Sequence, residues 1–325
     1  MTPLFRTPRP LILAAALGVA AFTTVAAGSV HAAAPMAKVS APGYFRMMLG
    51  EFEVTALSDG TNELPVNKLL KTDPAKVDKA LARSFLSSPL ETSFNAYLIN
   101  TGAKLVLVDS GAGGLFGPNL GKLVANLKAS GYQPEQVDEI YITHLHPDHV
   151  GGIAKDGAAV FANAVVRADQ RDADFWLSQA NMDKAPADAK GFFQGAMVSL
   201  KPYIDAKRFQ PFDGDTQLVP GVKASSTYGH TAGHTSYLVE SGGKKLLLAG
   251  DLIHVGAVQF DEPTVTIAFD SDEKSARAQR LKTFDAAARD GTLVAASHLQ
   301  FPGIGHVRSA GKSYRWVPLN YTQVR

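Results

Sequence analysis

The sequence predicts a mixed α/β fold in which the ends of several strands gather at one edge and carry the chemistry. Short apolar or alternating runs with strand character are interleaved with stretches whose apolar residues recur at helical spacing, so sheet and packing helices share the chain. Four strand runs terminate at or beside a residue able to hold a metal: before His144, before His230, at Asp251 and at His298. The first of these ends in Thr143-His144-Leu145-His146-Pro147-Asp148-His149-Val150-Gly151-Gly152. Imidazole nitrogen and ionised carboxylate are the ligands that borderline divalent ions such as zinc prefer. Pro147 and the Gly151-Gly152 pair keep the segment from continuing as strand or regular helix, so a loop can point alternate side chains at different ions. The stretch reads as one half of a two-metal site.

Composition bounds the alternatives. The 325 residues are 46% hydrophobic, which is ordinary for a globular chain with a full core. Arg6 and Arg9, the apolar run Leu11 to Phe22 and the small residues around Val30 to Ala34 match the parts of a secretory signal, so residues 1–32 are expected to be a cleaved export signal and 33–325 a single domain. The apolar core is short for a membrane span, so no stable membrane insertion is expected after cleavage, and a periplasmic or secreted location follows. Loss of Arg6 and Arg9 with no acid takes the formal charge from +2 to 0, which gives no support for a nucleic-acid partner. Without cysteine, any metal must be held by nitrogen and oxygen.

Taken in order, Tyr44 to Leu49 and Phe52 to Leu57 alternate about Gly50-Glu51 as a hairpin. Asp73-Pro74 caps a helix expected over 74–87, with Val77, Leu81 and Phe85 on its inward face. Ser93 to Asn100 and Lys104 to Asp109 read as strands, the second a buried one. The Gly-rich turn after Asp109 lacks the order and the lysine of a nucleotide loop, so Asp109 is expected to brace a neighbouring loop. Leu120, Leu123, Val124 and Leu127 predict a helix ending at Gly131, and Val137 to Ile142 the strand that delivers the histidine loop. Val165 to Gly191, charged around Trp176, reads as an insertion with little core of its own, followed by a Pro-punctuated stretch. Ala224 to Thr227 and Thr235 to Glu240 flank the turn carrying His230 and His234; Lys245 to Ala249 is a buried strand ending at Gly250-Asp251. A helix fits 272–289, with an Asp270/Glu273 capping box and an inward Leu281/Phe284/Ala288 row, and Leu293 to Ser297 is a last strand before His298.

Together, His144-x-His146-x-Asp148-His149, Gly229-His230-Thr231-x-Gly233, Gly250-Asp251 and Ser297-His298 resemble the metallo-β-lactamase fold of metal-dependent hydrolases. Phe301-Pro302-Gly303-Ile304-Gly305-His306 and Tyr314-Arg315-Trp316-Val317-Pro318 resemble, more closely, the methyl parathion hydrolase family and dihydrocoumarin-type lactonases. The resemblance implies a four-layer αββα sandwich with internal ββα duplication and two divalent ions between the sheets, zinc foremost, with manganese, cobalt or iron as alternatives. It implies that His144, His146 and His230 hold one ion, that Asp148, His149 and His298 hold the other, and that Asp251 bridges them together with a hydroxide. Metal coordination can lower the pKa of water to about 7, which is what makes such a hydroxide available. Asp148 is then also a proton shuttle to the leaving group, and Asp148 and Asp251 are the catalytic carboxylates. His234 is expected to support a ligand by hydrogen bonding.

The resemblance also implies that Phe116, Trp176 and Phe192 form an aromatic pocket wall, with His254 and Phe269 standing where methyl parathion hydrolase has leucine. A more polar and narrower pocket favours a lactonase or arylesterase over an organophosphate phosphotriesterase, the alternative within the class. A mononuclear iron sulfur dioxygenase is the alternative from another class. A small-molecule substrate and a homodimer are in keeping with the family.

Overall fold

The computed structural model describes residues 34–324; the expected export signal, with His31, lies outside the described residues. In the first half, β1 (Tyr44–Leu49) and β2 (Phe52–Leu64) form the expected hairpin. Two short helices, α1 (Val66–Leu69) and α2 (Pro74–Arg83), lead to β3 (Leu90–Asn100) and β4 (Leu105–Val108). Helix α3 (Leu123–Ala129) crosses to β5 (Glu139–Tyr141), which pairs parallel with β4. The histidine loop follows and contains one helical turn, α4 (Pro147–Val150), then a small hairpin of β6 (Ala154–Lys155) and β7 (Ala158–Ala159). Strand β8 (Val165–Arg167) closes this sheet, whose order is β1-β2-β3-β4-β5-β8.

Helices α5 (Gln170–Trp176), α6 (Gln179–Lys184) and α7 (Lys190–Asp205) precede a second sheet. Its strands are β9 (Thr216–Val219), β10 (Val222–Ser226), β11 (Thr235–Ser241) and β12 (Lys244–Leu248). After α8 (Gly256–Gln259) and α9 (Glu273–Asp290) come β13 (Leu293–Ala295), β14 (Ile304–Ala310) and β15 (Ser313–Pro318). The order is β15-β14-β13-β12-β11-β10-β9. In both sheets an antiparallel pair (β3-β4, β11-β12) is followed by a helical crossover to a parallel neighbour, so the ββα unit occurs twice.

The period of two along each strand divides the apolar residues between layers. Tyr97, Ile99, Val106 and Val108 face the second sheet and meet Tyr237, Val239, Leu246 and Leu248. Their neighbours Ala96, Leu98, Leu105 and Leu107 face outward against Leu123 and Leu127 of α3 and Phe193, Leu200 and Tyr203 of α7. On the far side, Phe284 and Ala287 of α9 cover Val294, Ala296 and Val307. Helix, sheet, sheet and helix make the four-layer sandwich.

Four local readings change. Helix α2 stops at Arg83, and Phe85 turns out left-handed (φ 58°) and 99% exposed rather than continuing the inward face; Leu86 takes its place, its N–H bonding back to Leu81. The segment from Val165 is no loose insertion: β8 joins the first sheet, while Ala173 and Trp176 of α5 are buried. The N-cap of α9 is Asp272, whose carboxylate accepts from Ser275 N–H at 3.0 Å, so Asp270 is released for another partner. The inward row of α9 is Ala276, Arg280, Phe284 and Ala287, with a fully buried arginine where sequence periodicity expects only apolar groups.

Candidate metal centre

The site forms where the strands of both sheets end. Asp109, just after β4, is left-handed (φ 61°), a conformation that Asp tolerates better than bulkier residues. Its carboxylate accepts from Thr143 N–H at 2.8 Å and from the Thr143 hydroxyl at 2.9 Å, and lies 2.8 Å from His149 Nδ1. That bond fixes the His149 tautomer and leaves Nε2 to face the site. His230 Nδ1 is held at 2.8 Å by Asp270 Oδ1, and His298 Nδ1 lies 3.1 Å from the Ser93 carbonyl. Three rings are thus oriented by three different elements.

The free faces of these rings meet around Asp251. Its Oδ1 lies 3.3 Å from His149 Nε2, and its Oδ2 lies 3.4 Å from His230 Nε2, 3.7 Å from His144 Nε2 and 3.2 Å from His298 Nε2. His144 Nε2 is 3.0 Å from His146 Nδ1, and Asp148 Oδ2 is 3.5 Å from both His149 Nε2 and His298 Nε2. The edge of a zinc tetrahedron with bonds of about 2.0–2.1 Å is roughly 3.3–3.4 Å, so these separations suit shared coordination. His144, His146 and His230 form one compact group and Asp148, His149 and His298 another, with Asp251 grouping with His144 and His149. All seven residues expected as ligands are therefore brought together.

The polar inventory also fits a cation. His149 Nε2, His230 Nε2 and Asp251 Oδ1 are buried without a hydrogen-bond partner, each a cost of about 1–3 kcal/mol unless something fills the space between them. Burial, aided by neighbouring imidazoles, holds His144 and His146 well below the usual histidine range, so both are neutral donors of a lone pair. Burial presses His149 the same way, but the carboxylates of Asp251, Asp148 and Asp109 outweigh it and raise its pKa. Burial likewise opposes ionisation of Asp251, and the surrounding imidazoles overcome it. The donor set calls for positive charge, and divalent ions supply it.

Around the donors lie the supports. His234 Nε2 accepts the Asp251 N–H at 3.0 Å while its Nδ1 lies 2.8 Å from the Thr227 hydroxyl; burial lowers its pKa to about 3 and keeps it neutral. Gly250 adopts φ 56°, and a Cβ there would stand 2.7 Å from His234 Nε2, so glycine is needed for this approach. Asp172 is buried against both histidine loops, and burial pushes its carboxyl up to about 6.

A cavity of about 270 Å³ opens onto the donors. Phe116, Phe192, His254 and Phe269 line it as expected, beside His146, Asp148, Asp251 and His298. Trp176 does not: it is 7% exposed and packs behind, its ring 5.1 Å from His146 and 4.7 Å from Phe193. Its place in the expected wall is corrected to the core, because α5 turns its apolar face toward α7. Asn62, Leu64 and Phe94 line the cavity without having been foreseen; β2 runs to Leu64 through an irregularity between Ser58 and Gly60 that carries it past the expected end. His254 Nε2 also comes within 3.1 Å of Asp251 Oδ2, and its ring stacks on His298 at 5.1 Å.

Residues 92–298 match the family model of the metallo-beta-lactamase superfamily. Curated relatives include an N-acyl homoserine lactonase of Bacillus cereus, 28% identical over 161 residues that make up 50% of this chain and 56% of the relative. Another is a beta-lactamase-like protein 2 homolog of Caenorhabditis elegans, 29% identical over 160 residues, 49% of this chain and 44% of the relative. The chain thus spans about half the length of the curated relatives it matches. Among solved structures, the hydrolase AbOPH of the beta lactamase superfamily is 41% identical with a TM-score of 0.84, covering 88% of this chain and 100% of that one. AidC, a dizinc quorum-quenching lactonase in complex with a product, is 26% identical with a TM-score of 0.80, covering 86% of this chain and 99% of that one. With its four histidine and aspartate motifs assembled at the strand ends of an αββα sandwich, the chain belongs to the metallo-beta-lactamase superfamily.

Proposed function

We propose that the protein is a binuclear metal-dependent hydrolase that opens lactones and cleaves aryl esters. The observation that carries this reading is the assembly of two three-residue donor groups and Asp251, four of whose side chains line a cavity walled mainly by phenylalanines. His144, His146 and His230 would hold one divalent ion, Asp148, His149 and His298 the other, and Asp251 both, zinc being the ion that best suits this set. What the ions supply when bound is Lewis acidity and a water acidic enough to attack near neutral pH.

The remaining work belongs to the chain. Phe94, Phe116, Phe192 and Phe269 exclude solvent and offer faces and edges to a flat acyl or aryl group. Among the described residues no lysine or arginine lines the cavity, which gives an anionic substrate no counter-charge outside the metal donors. Asp148, whose carboxylate faces the cavity, is placed to pass a proton to the departing alkoxide or phenoxide. Asn62 and His254 are the polar groups outside the donor set, suited to orienting an ester or amide oxygen. The lactonase names of AidC and the Bacillus relative support this reading.

The test is a panel on metal-analysed protein: dihydrocoumarin, an N-acyl homoserine lactone, an aryl acetate and methyl parathion. Turnover of lactones and aryl esters with two ions per chain is expected. Strong turnover of the phosphotriester alone would reassign the substrate, and one iron per chain with oxygen consumption on a persulfide would replace the reaction class.

A further inference from the structure

The segment that looked like an insertion carries a buried acid that the proposed chemistry does not use. Asp172 sits in the first turn of α5 and is 0% exposed. Its Oδ2 accepts from the Leu145 N–H at 2.9 Å and from the Thr231 hydroxyl at 2.9 Å, and its Oδ1 accepts from the Gly233 N–H at 2.6 Å. Leu145 lies between His144 and His146, and Thr231 directly follows His230. One carboxylate therefore ties together the two loops, one from each sheet, that carry the three imidazoles of a single donor group. The contact is intimate: a Cβ on Gly233 would lie 2.6 Å from the Asp172 backbone nitrogen.

The second donor group is braced by other means. Asp109 holds His149 Nδ1 at 2.8 Å, and the Ser93 carbonyl lies 3.1 Å from His298 Nδ1. Asp172 makes no hydrogen bond to Asp148, His149 or His298. Outer hydrogen-bond partners tune metal affinity by about 10–100-fold through the ligands they orient, so a brace confined to one donor group implies control of that group's ion alone.

We propose that Asp172 is a positioning residue for one metal position only, that of His144, His146 and His230. This rests on the two-metal reading above. By spanning the loops, Asp172 fixes the distance of His230 from the His144/His146 pair before any ion arrives, which spares the ion the cost of gathering them.

The experiment titrates metal-free full-length wild type, Asp172→Asn and Asp109→Asn with zinc against a chromophoric chelator. Bound metal is counted by elemental analysis, and thermal midpoints of the metal-free proteins are recorded. Wild type is expected to bind two ions. Asp172→Asn should weaken one ion about 10–100-fold while leaving the other within about twofold. Adding His146→Ala to Asp172→Asn should abolish the weakened ion and leave the tight one, whereas adding His298→Ala should abolish the tight one. Asp109→Asn, which touches His149 directly and His144 through the Thr143 hydroxyl, should weaken both ions and so serves as the contrast. Parallel weakening of both ions by Asp172→Asn, or no weakening, overturns the role of Asp172. Should Asp172→Asn not fold, Thr231→Val removes one of the three bonds and must show a smaller loss confined to the same ion; a loss shared by both ions, or none, overturns the proposal. A folded wild type that binds fewer than two ions overturns the two-metal reading itself, which separates that failure from this one.

Discussion

Asp270 illustrates how a residue's task depends on what the fold brings near it. Just ahead of α9 the Asp270 carboxylate meets His230 Nδ1 at 2.8 Å while its other oxygen accepts from Ile267 N–H at 3.1 Å. Asp270→Ala should leave the fold intact and weaken one ion by about 10–100-fold, measured by competition with a chelator. In the sequence its spacing to Glu273 matches a capping box, and nothing local distinguishes a cap from a histidine partner lying 40 residues away. The ligand types were legible because imidazole and carboxylate cluster at strand ends for few other reasons. Their supports were not, since Asp172 and Asp270 act across distances that only the tertiary fold closes. Trp176 was misplaced for a related reason: an aromatic residue near a site can face the ligand or the core behind it, and burial alone favours the core.

At the scale of elements, two buried charges hold loops to the sandwich. Asp59 of β2 accepts from Ala112, Gly121 and Leu123 N–H groups at 2.9, 3.0 and 3.0 Å, and so fastens the loop that carries Phe116. Burial raises its pKa to about 6, against the pull of those three donors. Because the folded value lies above the unfolded one of about 3.9, its contribution is fully present below that value and is lost as pH rises through about 6. Asp59→Asn lacks this dependence, so the stability advantage of wild type over the variant should shrink mainly between about pH 4 and pH 6, by at most about 3 kcal/mol, as read from urea midpoints. Arg280 of α9 is the second. It donates through Nε to the Leu252 carbonyl beside Asp251, and through a terminal nitrogen to Pro263 at 3.0 Å and Val265 at 2.6 Å. Arg280→Met strands these carbonyls and should destabilise the protein by about 3–5 kcal/mol in urea denaturation. Periodicity located α9 correctly but could not announce an arginine on its inward face. The end of α2 was missed for the opposite reason, since Phe85 fits the apolar stripe and yet the chain leaves the helix before it.

Across the whole molecule, each donor group takes two side chains from the loop after β5 and one from the second sheet: His230 joins His144 and His146, and His298 joins Asp148 and His149. The ions would clamp the two halves, so chelation should lower the thermal midpoint. A site held at 100 times its dissociation constant contributes about 2.7 kcal/mol, and at roughly 2–4 °C per kcal/mol the shift per ion is about 5–10 °C by differential scanning calorimetry. The layered fold was legible from the order of four motifs and from strand and helix periodicity. The long helix α7 was hidden by Pro202 in its last turns, which reads as a breaker in isolation.

The division of donors between halves also has a temporal meaning. His144 leaves the ribosome about 150 residues ahead of His298, and domains fold largely as units during synthesis. A nascent chain can therefore offer the first ion only two of its three side chains until His230 is made, and the second only two until His298 is made. Tight capture of the second ion, unlike the first, thus waits for the strand that ends at His298.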